Sequence, residues 1–226
     1  MSLKSNILIR SVVYIFVFQV VISIPSKGFS QEYDLGTWID FEAMHETGHV
    51  AYGLMGEFYT KDKNTSVERV SVGVKAGYPL SKTLNCNIGY LLMNYYKTGY
   101  TELRNRVYLQ AEYKKRISNW AFGLRERMQV TFYPETMESS KEVCSYWRNR
   151  FKVEYRNSNW KVVPVADVES FYLVGKGSEN GFDEFRYSLG VSFKLAKNQE
   201  LKIYGMLSDT SDLKFYILGL AYDLNL

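Results

Sequence analysis

Proline is scarce in this 226-residue sequence, at four, and histidine and cysteine are scarcer still, at two each. With so little proline the backbone can donate along long hydrogen-bonded ladders. Two histidines leave little material for a Ser-His-acid triad. The two cysteines, Cys86 and Cys144, lie far apart in sequence, and an oxidising compartment permits a bridge without requiring one. Cys86 reads as a membrane-face strand residue and Cys144 as a loop-end residue, a placement that disfavours a bridge between them. No glycine-rich phosphate loop precedes a helical pattern; the glycines are scattered along extended segments. Beyond residue 30 no apolar run approaches the ~18 residues of a transmembrane helix. An excess of one charge is missing too. The formal +4 loses Lys4, Arg10 and Lys27 if residues 1–30 are removed, leaving 25 basic against 24 acidic residues, or +1. A near-neutral chain has no electrostatic reason to bind nucleic acid.

Among the features present, the first is an export pattern. Lys4 and Arg10 precede an apolar run from Ser11 to Ile24, Pro25 ends it, and Gly28-Phe29-Ser30 supplies small residues for cleavage before Gln31. The run is too short for a retained spanning helix. Residues 1–30 are therefore expected to be a cleaved signal peptide and 31–226 a single domain.

The second is a period of two. In residues 119–133, Trp120, Phe122, Leu124, Met128, Val130 and Phe132 share a face interrupted only by Glu126, while Ala121, Gly123, Arg125, Arg127, Gln129 and Thr131 share the other. A helix cannot segregate residues this way. The division recurs in 69–78, 147–156 and 185–195. It gives strands at 35–45, 49–60, 67–78, 83–97, 104–116, 119–133, 146–157, 160–173, 184–196, 199–208 and 213–225. Ordinary globular strands run about 5–6 residues, whereas a tilted bilayer-crossing strand needs roughly 9–11. Short connections (46–48, 79–82, 117–118, 158–159, 197–198) alternate with longer ones (61–66, 98–103, 134–145, 174–183, 209–212), a habit of outer-membrane barrels. Aromatic residues mark strand ends at Trp38, Tyr78, Tyr95, Tyr96, Trp120, Tyr133, Trp147, Trp160, Tyr172 and Tyr222, as an interfacial belt would. The expected fold is an all-β, transmembrane, antiparallel up-and-down β-barrel of ten to twelve strands. Because bacterial single-chain barrels favour even numbers, the eleven segments are expected to resolve into ten or twelve.

Several segments carry a family resemblance: the start Gln31-Glu32-Tyr33-Asp34-Leu35-Gly36-Thr37-Trp38, Arg104-Asn105-Arg106-Val107-Tyr108-Leu109, Trp147-Arg148-Asn149-Arg150-Phe151-Lys152-Val153-Glu154-Tyr155, Phe185-Arg186-Tyr187-Ser188-Leu189-Gly190-Val191, and Ile217-Leu218-Gly219-Leu220-Ala221-Tyr222. In these the chain resembles the domain of unknown function 2490 family of predicted outer-membrane barrels. The resemblance covers nearly all of 31–226 and implies an architecture, without an activity. The ending, with Gly219, Tyr222, Leu224 and a terminal Leu226, resembles the recognition signal for the barrel-assembly machinery.

Two constellations could carry chemistry. His45-Glu46-Thr47-Gly48-His49 is a literal HExxH, which binds zinc when a helix sets both imidazoles on one face. If residues 44–58 were drawn as a helix, Glu57 or Glu68 could be a third ligand. The flanking alternation instead assigns a hairpin tip at Thr47-Gly48, so no metal and no cofactor is expected. The second constellation is a charged inner face. It comprises Asp40, Glu42, Glu112, Arg125, Arg127, Arg148, Arg150, Lys152, Glu154, Arg156, Asp167, Glu169 and Arg186, joined by Arg106, Lys114, Arg116 and Glu57. The favoured reading is a network of paired charges largely filling the lumen; the alternative is a basic wall attracting anionic solutes. The function expected is that of an outer-membrane barrel with a structural or passive solute-passage role. A lipid-modifying outer-membrane enzyme with its site at a rim is the second reading and a secreted HExxH zinc hydrolase the third. Outer-membrane lipid is the expected surrounding partner.

Overall fold

The computed structural model describes residues 33–133, 143–175, 180–210 and 213–226. The expected signal peptide, 1–30, lies outside the described residues, as do 134–142 and 176–179 of the two longest expected connections.

Eleven strands make up the described chain: β1 (Tyr33–Thr47), β2 (Val50–Lys61), β3 (Ser66–Pro79), β4 (Leu84–Lys97), β5 (Tyr100–Ile117), β6 (Trp120–Phe132), β7 (Val143–Tyr155), β8 (Val162–Leu173), β9 (Gly181–Ala196), β10 (Gln199–Thr210) and β11 (Lys214–Asn225). They run from 12 to 18 residues, long enough to cross a bilayer when tilted. Each pairs antiparallel with its sequence neighbours, and β1 pairs with β11 to close the barrel. Pro164, third in β8, precedes Val165, where the β7 ladder begins, so its missing N–H costs no bond on that side.

The closure corrects the expected even count. With eleven strands the first and last run in the same direction, so the seam is parallel, from Tyr33↔Lys214 to Met44↔Asn225. What a bilayer demands is that no edge be left unpaired, and a parallel ladder meets that demand as an antiparallel one does. The seam also keeps the faces in phase: Phe41 stacks on Tyr222 outside at 5.9 Å. At its end the Leu226 N–H donates to the Met44 carbonyl at 2.7 Å.

Two connections differ from expectation. The segment 98–103 is not a longer loop: β4 and β5 meet at a two-residue turn in which Gly99 has φ +87°. Between β7 and β8 the connection is longer than expected, spanning 156–161. β1 begins at the barrel end that holds the β2–β3 turn. There Asp34 accepts backbone N–H bonds from Asp62 at 2.9 Å and Lys63 at 2.8 Å. These bonds hold a turn in which Asp62, Lys63 and Asn64 all have positive φ.

The barrel is apolar outside and polar within. Leu54, Val72, Leu109 and Leu124 are 50–62% exposed on the outer face, an arrangement suited to lipid and costly in water. Inside, glycine opposite an aromatic ring lets the wall pack closely. Tyr108 lies over Gly89 and Tyr204 over Gly219, where a Cβ would meet ring atoms at 2.2 and 2.0 Å.

Candidate functional site

Strand alternation and register place the charged residues on two neighbouring lumen rows. One runs Glu112, Arg125, Arg150, Glu169, Arg186 across β5 to β9, and the next runs Gln110, Arg127, Arg148, Phe171, Glu184. Four arginines thus form a square on β6 and β7, with Arg125 directly opposite Arg150 and Arg127 opposite Arg148. Like charges in such positions repel.

Glu169 is the carboxylate set into this square. It accepts from Arg125 Nη2 at 2.5 Å and Arg148 Nε at 3.0 Å. Gln129 accepts from Arg148 Nη1 at 2.8 Å, and Gln110 accepts from Arg127 Nε at 2.8 Å while donating to Glu112 at 2.8 Å. Arg127 also lies over the Tyr108 ring at 4.0 Å, and Arg148 over Phe171 at 4.2 Å.

Among the described residues the other expected lumen charges are ion-paired or hydrogen-bonded nearby, except Arg150. Lys152 and Arg156 both pair with Glu154, at 2.6 and 2.5 Å, and Lys202 pairs with Asp167 at 3.1 Å. Lys75 pairs with Glu42 at 2.8 Å, and Arg186 with Glu184 at 2.6 Å. Asp40 accepts hydrogen bonds from Tyr59 at 2.8 Å and Tyr204 at 3.2 Å. Arg106 donates to Thr131 at 3.1 Å, and Arg116 donates to the Ser118 carbonyl at 3.0 Å at the barrel's end.

Sequence reasoning missed the neutral bridges Gln110 and Gln129, the pairing role of Glu184, and an aromatic wall opposite in character to the arginine square. On that wall Trp38 stacks on Tyr59 at 4.2 Å, and Leu91, Met93, Tyr95 and Tyr108 pack together with Met55. Arg69 lies over Tyr59 at 4.0 Å, pairs with Glu57 at 3.0 Å and donates to Tyr95 at 2.8 Å. Trp38 and Tyr95 therefore belong to the lumen rather than to an interfacial belt. Tyr133 likewise turns to Arg104, at 4.5 Å. A readable clue existed for the charges: Glu102–Arg104, Glu112–Lys114, Lys152–Glu154, Glu154–Arg156 and Glu184–Arg186 are all i,i+2 pairs, same-face neighbours on one strand.

The HExxH residues do not converge. His45 is in β1 with its ring edge-on to Tyr52 at 5.5 Å, Glu46 takes the next strand position, and His49 follows Gly48 in the turn. Glu57 is engaged by Arg69. Among the described residues no group of three His, Cys, Asp or Glu is placed to hold a metal. Cys86 and Cys144 are free, near opposite ends of the barrel on β4 and β7. Glu126, the one acidic interruption of the apolar face of β6, is held on the outer surface by the Trp147 indole N–H at 2.7 Å. Asn149 faces Glu126 across the ladder, and its amide, assigned with the nitrogen toward the carboxylate, donates a second bond at 2.9 Å.

The sequence model of a family described as "Protein of unknown function (DUF2490)" matches residues 35–212. The chain belongs to the DUF2490 family. This DUF2490 barrel is also similar to the β domain of the Bordetella autotransporter BrkA, with a TM-score of 0.50 and 10% identity over 80% of this chain and 83% of that one. At that identity the likeness is one of fold. No curated protein matches the chain.

Proposed function

We propose that this DUF2490 protein sits in an outer membrane and gives small solutes a passive route through a lumen narrowed by charged side chains. The observation that carries the reading is the two-sided wall. Strands long enough to cross a bilayer show a largely apolar surface outward, interrupted at Glu126, Asn149 and Asn105, and a surface rich in charged and aromatic side chains inward. A lumen filled by a network of paired charges would carry no excess of one sign, whereas the four arginines on β6 and β7 have the single carboxylate of Glu169 among them. The similarity in fold to an autotransporter β domain supports the same membrane setting. In this reading the shorter connections face the periplasm, and the outward row Leu218, Leu220, Tyr222 and Leu224 of β11 is what the assembly machinery engages.

The test is conductance of the refolded barrel in a planar lipid bilayer. Discrete, reproducible current steps are expected. Their complete absence over a range of voltages, with protein insertion verified, would sink the passage reading.

A further inference from the structure

The arginine square holds more positive charge than its carboxylates match. Glu169 is shared by Arg125 and Arg148, Glu112 is taken by Lys114 at 3.2 Å, and Glu184 is taken by Arg186 and Ser208. Among the described residues no carboxylate lies within the 4.0 Å ion-pair distance of Arg127 or Arg150. Arg127 has only the neutral oxygen of Gln110 and the face of Tyr108. The Nε of Arg125 is buried with no acceptor. Arg125 and Arg148 are 9% and 8% exposed, and Arg127 and Arg150 are half-buried. All four lie near the middle of β6 and β7, where anything crossing the barrel must pass.

Unmatched like charge inside a narrow lumen is costly unless something arrives to neutralise it. Arg127 and Arg150 are diagonal neighbours across the β6–β7 ladder, a relation that sets the two residues roughly 7–8 Å apart with their Cβ atoms somewhat closer. Arg127, whose Nε and Nη2 donate to Gln110, keeps its Nη1 side free, and with the fork of Arg150 it can close on one small oxyanion between them. We infer that Arg127 and Arg150, backed by Arg125 and Arg148, form a binding site for a small oxyanion of the carboxylate or phosphate class at the waist of the barrel. The site makes passage anion-selective. This inference rests on the passage reading for its selectivity but not for its binding, so the two can fail separately.

The experiment measures reversal potential across a bilayer under a potassium chloride gradient, first for the native barrel and then for an Arg127→Gln/Arg150→Gln double variant. The native barrel should favour chloride, and the variant should lose that preference or favour potassium. Inorganic phosphate and acetate, added separately, should each reduce the native chloride current, and whichever blocks at lower concentration names the class. Block should weaken roughly tenfold or more in the double variant, as expected when charged hydrogen bonds are lost. Arg127→Lys/Arg150→Lys should keep the chloride preference while weakening block, because lysine retains the charge without the fork. Heat-modifiable gel mobility checks folding; if the double variant does not fold, Arg150→Gln alone takes its place. Conductance with no anion preference, or a preference untouched by the variants, would overturn the site and leave passage standing. With no conductance at all, titration calorimetry of phosphate and of acetate into the detergent-folded barrel decides. Binding lost in the double variant upholds the site, and no binding of either overturns it.

Discussion

The lumen has two walls that solve the same problem differently. On the β1–β4 side Arg69 is enclosed: it pairs with Glu57 at 3.0 Å, donates to Tyr95 at 2.8 Å and lies on Tyr59 at 4.0 Å. Close packing around glycine does the rest, as where Gly73 lies against Leu91 and Gly53 against the Ala43 carbonyl. On the β5–β9 side four arginines face one another in pairs across a ladder, with one shared carboxylate. The first wall has the character of a protein core, with Arg69 and Lys75 each ion-paired and Asp40 held by two tyrosine hydroxyls. The second keeps charge unmatched, and such an excess is hard to explain by stability alone. The difference teaches where to look for function in a barrel lacking a catalytic motif: where electrostatic pairing is incomplete.

The largest effect should come from removing the carboxylate that makes the second wall tolerable. Glu169→Ala leaves Arg125 and Arg148 without an ion-pair partner, and losing one partner of a buried pair costs about 3–5 kcal/mol. Guanidinium unfolding in detergent micelles, followed by tryptophan fluorescence, should show a midpoint well below native. An unchanged midpoint would mean that water in the lumen already solvates both arginines. On the first wall Arg69→Gln strands Glu57 and should cost about 3 kcal/mol in the same assay. A much smaller loss there would erase the contrast between the walls.

A third substitution probes packing rather than charge. A Cβ at Gly53 would stand 1.9 Å from the Ala43 carbonyl oxygen, which is backbone and cannot swing away. Gly53→Ala should therefore cost toward the upper end of the ~1–3 kcal/mol typical of overpacking. Gly56→Ala on the same strand, where the nearest atom would be 3.9 Å away, should cost less. Equal losses at the two positions would show that strand propensity, not close approach across the ladder, sets the penalty.

Much of this was legible in the sequence because each face of a membrane strand meets a uniform environment. On β6 the alternation from Trp120 to Phe132 names every outward and inward residue, with Glu126 as its one exception, and Trp147 and Asn149 on the next strand account for that exception. The closure was not legible. No local pattern in β1 says that its second neighbour is β11, since pairing partner and direction are set by the global strand count. Thr101 and Glu102 hid the start of β5, because there both faces carry a polar residue and the apolar alternation is not readable. Trp38 and Tyr95 were misassigned by position along the strand when parity, which puts Trp38 beside Asp40, already placed them inside. The arginine square could be read residue by residue, but its shortage of carboxylates could not. That depends on Glu184 facing Phe171 across the ladder and pairing with Arg186 on its own strand.

The smallest effect has the opposite sign, and it separates the walls most sharply. Arg150 faces Arg125 across the β6–β7 ladder, and its other cross-strand neighbour, Glu169, is already held by Arg125 and Arg148. Arg150→Gln removes a like-charge opposition worth about 0.2–1 kcal/mol and breaks no ion pair, so the unfolding midpoint should rise slightly. Arg127→Gln should lie near zero, because relief from Arg148 is offset by losing the Gln110 bonds and the Tyr108 face. The same change at Arg69 lowers stability, so one chemical substitution has opposite signs on the two walls. If Arg150→Gln instead destabilised the barrel as Arg69→Gln does, Arg150 would be a structural cation matched through water. The case for a guest anion at the waist would then lose its physical basis.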